Sequence, residues 1–63
     1  MSVLDSPKRV VVTDAAVPFV ARGGRVFSRQ ILRSDPGLED GDLVQVVDRR
    51  ENILSTARFF VVP

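Results

Sequence analysis

The residues of this 63-residue sequence that are best suited to chemistry surround a pair of glycines. Gly23 and Gly24 end a short apolar segment and are flanked by Arg22 and Arg25. Glycine adopts positive φ angles without strain and lets the backbone of another molecule come close. Arginine carries a permanent planar cation whose several donors match the oxygens of a phosphate. The spacing therefore predicts a site for a polyanion.

The remaining residue types argue against catalysis. The sequence has neither cysteine nor histidine, which removes disulfides, thiolate metal sites and the usual general base. The acidic residues between positions 35 and 42 do not follow the alternation of a calcium-binding loop and are better explained as turn formers. We therefore expect a protein that is not an enzyme and that holds no cofactor and no metal.

The net charge of +1 conceals a strong partition along the chain. Residues 8–33 contain six basic residues and one acidic residue, whereas residues 34–48 contain five acidic residues and no basic one. Folding could interleave these charges into a mixed surface. Alternatively, the partition could produce a basic face that binds nucleic acid, with the acidic segment on another side.

Length and composition predict one small domain, residues 9–63, preceded by a flexible segment, residues 1–8. Because so small a domain needs its four phenylalanines inside, we expect them to form core rather than stacking surfaces. No apolar run reaches the roughly 20 residues of a membrane span, and the first residues lack the pattern of a signal peptide. A cytoplasmic protein with no membrane partner is the default expectation.

A helix is predicted immediately before the glycine pair. Apolar residues recur at helical spacing in Ala15–Arg22, and Thr13 or Asp14 could cap its N-terminus. So short a helix is unstable alone, so it should pack Phe19 and Val20 against a sheet. The first glycine of the pair would end it in the left-handed conformation.

β-Branched and apolar runs predict four strands, at Arg9–Thr13, Val26–Arg33, Leu43–Val47 and Ile53–Val62. In the second strand, strict alternation places two arginines on the same face as its apolar residues. This conflict indicates a bulge, a twist or partial exposure.

Turn residues separate the later strands. Asp35–Gly37 has proline and glycine at the positions of a tight turn, and Leu38 should fill the core beneath it. Asp40–Gly41 is a second turn, and Asp48–Asn52 a polar hairpin loop. The order of elements predicts a mainly β (α+β) domain, a small pseudo-barrel of about four or five strands with one short helix across an opening.

Several short motifs follow one another in a characteristic order: Val10–Val12, Asp14–Ala16, Pro18–Val20, the Gly23–Gly24 loop, Val26–Phe27, Asp35–Pro36, Gly41–Val47 and Leu54–Arg58. Together they resemble a PUA domain, the small RNA-binding module found attached to pseudouridine synthases and archaeosine transglycosylases. The resemblance covers about residues 10–60. It is closest to the archaeosine tRNA-guanine transglycosylase type, which has Pro-Phe-Val before the glycine loop and Val-Phe after it.

The sequence departs from this family pattern in two places. Ala57 precedes Arg58 where the family often has glycine. The family usually continues with another turn and strand, whereas this chain stops at Pro63. A PUA domain without its last strand would have an open sheet edge, which a partner chain or a second copy could cover.

The resemblance also implies a site and partners. PUA domains hold RNA between the helix, the glycine loop after it and the neighbouring last strands. The partner would be tRNA or another structured RNA, and catalysis would belong to a partner domain or subunit. The open edge allows a homodimer. The RNA-binding residues implied in this sequence are Arg22, Gly23, Gly24 and Arg25, with Arg29 and Arg58 as flanking phosphate contacts.

Two other interpretations compete with RNA binding. The spacing of glycines from Gly24 to Asp42 is similar to that of AbrB-like DNA-binding dimers, which exchange hairpins between chains. That fold has no place for the predicted helix, and Pro36 would fall in its helical segment, where proline is unfavourable. The second alternative is a β-barrel that uses its open edge to bind another protein.

Overall fold

The order of the strands explains how so short a chain encloses a core. In the computed structural model, which describes residues 7–62, five strands form one mixed sheet in the order β2-β5-β4-β1-β3. β1 is parallel to β4, β2 is parallel to β5, and the other two pairs are antiparallel. The elements are β1 (Lys8–Val12), α1 (Val17–Val20), β2 (Gly24–Phe27), β3 (Ile31–Ser34), β4 (Leu43–Val47) and β5 (Ile53–Phe60).

The two edge strands, β2 and β3, are neighbours in the sequence. A 3₁₀ turn of three residues, Ser28–Gln30, joins them. Because the turn is so short, the sheet must curl until its opposite edges approach each other. The result is a half-barrel with one short helix, which confirms the fold class predicted from the sequence.

The core lies on the concave face of the curled sheet. Every strand except β3 contributes side chains that are almost fully buried. In β1 and β5 these alternate along the strand, as expected for a period of two, whereas β2 contributes one and β4 includes the adjacent pair Val46 and Val47. Ala16 and Val20 cover this face from the helical segment, and Leu38 packs half-buried against it as predicted. The buried strand residues of the cluster are Val10, Val12, Val26, Val44, Val46, Ala57 and Phe59.

The helical segment is shorter than predicted. The Thr13 side chain accepts a hydrogen bond from the Ala16 backbone N–H (3.2 Å) and so caps a 3₁₀ turn, after which α1 has only four residues. Val20 is buried, but Phe19 is 72% exposed, so its predicted packing against the sheet is wrong. Ala16 and Val20, four residues apart, share the inward face, and Phe19 is rotated about 100° from Val20 around the helix axis.

The predicted strand Val26–Arg33 is interrupted, which resolves the conflict in its alternation. The Gln30 side chain accepts the Phe27 backbone N–H (2.9 Å), and the Gln30 carbonyl accepts the Thr13 backbone N–H (3.0 Å). These bonds stabilise the 3₁₀ turn. The single strand predicted here is therefore two strands, and Arg29 lies in the turn between them.

The other predicted elements agree closely with the structure. Gly37 has φ +80°, the value that a type II turn requires after proline. β4 has the predicted bounds, and β5 ends two residues before Val62. Of the predicted flexible segment, residues 1–6 lie outside the described part of the chain, while Lys8 already pairs with Val44. Within residues 7–62, no helix has the length and apolar character needed to cross a membrane.

Candidate nucleic-acid interface

The two glycines of the loop have different surroundings. Gly23 (φ +83°) donates its N–H to the Val20 carbonyl (2.9 Å) and ends α1 as predicted. A Cβ on Gly23 would lie 3.3 Å from the Thr56 carbonyl oxygen, so this glycine is needed for close packing on β5. Gly24 (φ +93°) would present a Cβ to open space, with nothing within 4 Å. Of the two loop glycines, Gly24 is therefore the one whose positive-φ backbone is open to an approaching molecule.

Three arginines near the loop are exposed, and two of them occupy opposite positions on neighbouring strands. Arg22 lies in the turn after α1, and Arg25 on β2 is paired in register with Arg58 on β5. Like charges directly opposite each other are unfavourable. Here the two guanidinium groups use different partners: Arg58 Nη1 donates to the Gly41 carbonyl (2.9 Å), whereas Arg25 lies over a phenylalanine ring.

A continuous row of arginine and phenylalanine side chains follows the outer face of β2 and β5. The Arg25 guanidinium carbon is 5.9 Å from the Phe60 ring centroid, and that of Arg29 is 5.8 Å from the Phe27 centroid. The two rings pack against each other, 6.2 Å apart and tilted by 38°. We refer to these four residues as the arginine–phenylalanine row.

The row was not predicted from the sequence, where all four phenylalanines were expected in the core. Only Phe59 is buried, Phe27 and Phe60 are half-buried, and Phe19 is exposed. The available signal was the adjacent pair Phe59–Phe60, because neighbouring residues of a strand point to opposite faces.

The acidic residues of residues 7–62 do not neutralise the arginines beside the loop. Salt bridges in this part of the chain involve only Arg33, with Glu51 (3.9 Å), and Arg49, with Asp14 (3.0 Å). Other carboxylates instead accept backbone N–H groups. Asp42 and Asp48 accept them within their own turns, as the turn-forming interpretation predicts for Asp42. Asp35 and Asp40 accept the N–H groups of the distant residues Arg9 and Val61. Within residues 7–62, Arg22, Arg25 and Arg29 therefore have no carboxylate partner that would compete with an external anion.

A depression of about 550 Å³ lies beside the helical segment and the β4–β5 loop. Asp48 in its wall accepts the backbone N–H and the side-chain amide of Asn52 (2.8 and 3.1 Å) and the Arg50 N–H (2.9 Å). These bonds, the Asn52 backbone N–H first, lower the pKa of Asp48. The carboxylate is therefore used by its own loop. Among residues 7–62, no three acidic residues are grouped so as to hold a metal ion.

Comparison with known proteins gives one family and a consistent set of relatives. The family model described as PUA domain matches residues 8–59. The tRNA-guanine(15) transglycosylases of Pyrococcus abyssi and Thermococcus kodakarensis are 40% and 39% identical to this chain over 57 residues. The match covers 89% of this chain but only 10% of each relative, so the chain spans about a tenth of their length. No solved structure is a significant match.

Proposed function

This chain belongs to the PUA domain family, and on that premise we propose that it binds tRNA or another structured RNA without catalysing a reaction itself. Family membership confirms the resemblance found in the sequence. The AbrB-like dimer is left without support, because five strands of one chain are enough to form the sheet, and the helical segment, which has no place in that fold, covers its core.

The observation that carries the proposal is the surroundings of Gly24. Its backbone is open to solvent at positive φ, and it lies between Arg22 and Arg25, neither of which has a carboxylate partner in residues 7–62. A phosphate could approach the backbone closely there and meet guanidinium donors on both sides. Gly23 supports this geometry from behind by letting the loop pack against the Thr56 carbonyl.

Arg29 and Arg58 extend the proposed surface in different ways. Arg29 lies at the far end of β2, beyond the loop, and its guanidinium lies over the ring of Phe27. Arg58 donates one N–H to the Gly41 carbonyl, and a guanidinium has five such donors. We therefore assign Arg58 a phosphate contact that is fixed in position by its bond to Gly41.

The relatives suggest the setting in which such binding would act. Both are tRNA-guanine(15) transglycosylases by name, and their matching part is a small fraction of a much longer protein. In our proposal the domain positions tRNA for a modification reaction, the reaction itself belongs to a separate catalytic domain or subunit, and both act in the cytoplasm.

The test is a binding titration of the purified chain with tRNA, with tRNA lacking its 3′ end and with duplex DNA, over a series of salt concentrations. We expect a preference for intact tRNA, which the double variant Arg22→Glu/Arg25→Glu should abolish. In the milder variant Arg22→Ala/Arg25→Ala, which should still bind weakly, the slope of log K against log[salt] should become shallower by roughly two, about one for each arginine that no longer binds a phosphate.

The matched control is Arg33→Glu/Arg49→Glu, which changes the net charge equally but at arginines that already have carboxylate partners. It should retain most of the affinity for tRNA. If a folded Arg22→Glu/Arg25→Glu protein bound as tightly as the unchanged chain, the proposed site would be wrong. A preference for duplex DNA would overturn the proposed function.

A further inference from the structure

We propose that the arginine–phenylalanine row is a second part of the RNA surface, where the bases of unpaired nucleotides stack; this inference rests on the proposed function. The row is continuous with the glycine loop because Arg25 belongs to both. From there it follows β2 and β5 to Arg29, through Phe60 and Phe27. An RNA strand bound at Gly24 could therefore continue along it.

The register of the strands places the row on one face. Arg25 is paired with Arg58, and Phe27 with Phe60. The intervening Val26 is fully buried, so its neighbours on β2 point to the opposite, convex face. The row thus lies outside the core, and the half-buried rings of Phe27 and Phe60 remain in part accessible.

The contacts within the row could exchange for contacts with RNA. Each guanidinium carbon lies 5.8 or 5.9 Å from a ring centroid, near the outer limit of about 6 Å for an effective cation–π contact. A guanidinium held so loosely can turn towards a phosphate and leave the ring face to a base. Bases stack on aromatic rings and on arginine planes alike, largely without regard to sequence.

Charge favours RNA over a protein as the occupant. Neither Arg25 nor Arg29 has a salt bridge within residues 7–62, and an RNA strand supplies one phosphate for each base. The row has the same proportion, with two cations at its ends and two rings between them.

The experiment compares three RNA hairpins with an identical stem: one blunt, one with a 3′ tail of four adenosines, and one with an abasic tail of equal length. Stacking of one base on an aromatic ring is worth roughly 5- to 150-fold in affinity. We expect the adenosine tail to strengthen binding at least fivefold over the abasic tail. Phe27→Leu/Phe60→Leu should remove most of this gain, measured within the variant as the ratio of its affinities for the adenosine and abasic tails.

Two further variants separate stacking from apolar packing. Phe60→Tyr keeps the ring and should keep the gain from the tail. Ile53→Ala removes an exposed apolar side chain at the other end of β5 and should also leave it unchanged. Thermal unfolding of each variant checks that it is folded. The comparison of the adenosine and abasic tails on the unchanged chain does not depend on any variant.

Each result bears on one of the two proposals. Equal affinity for the adenosine and abasic tails would overturn the stacking role while leaving RNA binding intact. If Phe27→Leu/Phe60→Leu still bound the adenosine tail more tightly than the abasic tail by the same factor, the bases would stack elsewhere. That result would also overturn the stacking role of the row. If no RNA bound at low salt, the proposed function itself would fail, and the row would become a candidate surface for a protein.

Discussion

Substituting the two loop glycines one at a time should separate their roles. Both have positive φ, a conformation that costs a residue with a Cβ about 1–2 kcal/mol. Alanine also restricts the unfolded chain, which returns about 0.4–1 kcal/mol. The net cost of Gly24→Ala should therefore be about 1 kcal/mol, since its Cβ would meet nothing within 4 Å.

Gly23→Ala should cost more, for a reason visible in the structure. Its Cβ would lie 3.3 Å from the Thr56 carbonyl oxygen, a backbone atom of β5 that cannot rotate away. Overpacking of this kind costs typically 1–3 kcal/mol, so the total should be about 2–4 kcal/mol. A domain of this length has an unfolding free energy of roughly 3–9 kcal/mol, so the variant should be strongly destabilised.

The assay is urea unfolding followed by far-ultraviolet circular dichroism, because the chain has neither tryptophan nor tyrosine for fluorescence. The urea concentration at the midpoint should be highest for the unchanged chain, lower for Gly24→Ala and lowest for Gly23→Ala. The slope of the unfolding free energy against urea concentration should be similar in all three. If Gly24→Ala were as destabilising as Gly23→Ala, the contact with β5 would not distinguish the two glycines. Under the proposed function, Gly24→Ala should weaken RNA binding even though it stays folded.

Three further predictions concern other parts of the molecule. Ser55→Ala should lower the unfolding free energy by about 1 kcal/mol in urea titrations, because the Ser55 hydroxyl donates to the Val20 carbonyl (2.6 Å) and ties α1 to β5. The pKa of Asp48 is lowered from 3.8, so its stabilising effect is complete above that pH and is lost as the pH falls through the lowered value. The melting temperature of Asp48→Asn should therefore fall less than that of the unchanged chain below about pH 4. Finally, we expect sedimentation velocity to detect a homodimer at high protein concentration, formed through an exposed edge of β2 or β3.

Each of these predictions has a contradicting result. An unchanged urea midpoint in Ser55→Ala would mean that the hydroxyl adds nothing to the anchoring of α1. Parallel pH profiles for Asp48→Asn and the unchanged chain would show that the loop bonds are not coupled to the ionisation of Asp48. A monomer at every concentration would exclude pairing through the sheet edge.

Most elements of the fold could be predicted from the sequence because their signals are local. The proline and glycine of the Asp35–Gly37 turn fix its type, and the apolar run Leu43–Val47 is interrupted only by Gln45. The interruption at Ser28–Gln30 could not be predicted in the same way. It depends on a Gln30 side chain that competes for a backbone donor and on a bond between the Gln30 carbonyl and the distant Thr13, which alternation does not encode.

The candidate site was only partly predictable, for the same reason. The glycine pair and its flanking arginines are contiguous in the sequence, so their proximity required no knowledge of the fold. The arginine–phenylalanine row requires the parallel pairing of β2 with β5, which brings Phe27 beside Phe60. The exposure of Phe19 depends on which side of the helical segment faces the sheet; Ala16 and Val20 occupy that side, and helical spacing alone does not choose between them and Phe19.

The short turn between the two edge strands has a consequence for how the chain folds. Only the β4–β5 hairpin joins strands that are adjacent in sequence, whereas the parallel pairs join distant residues, such as Gly24 with Ala57 and Val10 with Val46. We expect the hairpin to form first and the distant pairs later, since closing long loops is slow. The Ser28–Gln30 turn links β2 and β3. When β2 pairs with β5 at one edge of the sheet, β3 is therefore held near β1 at the opposite edge. Closure of the half-barrel should then be the last and most cooperative step.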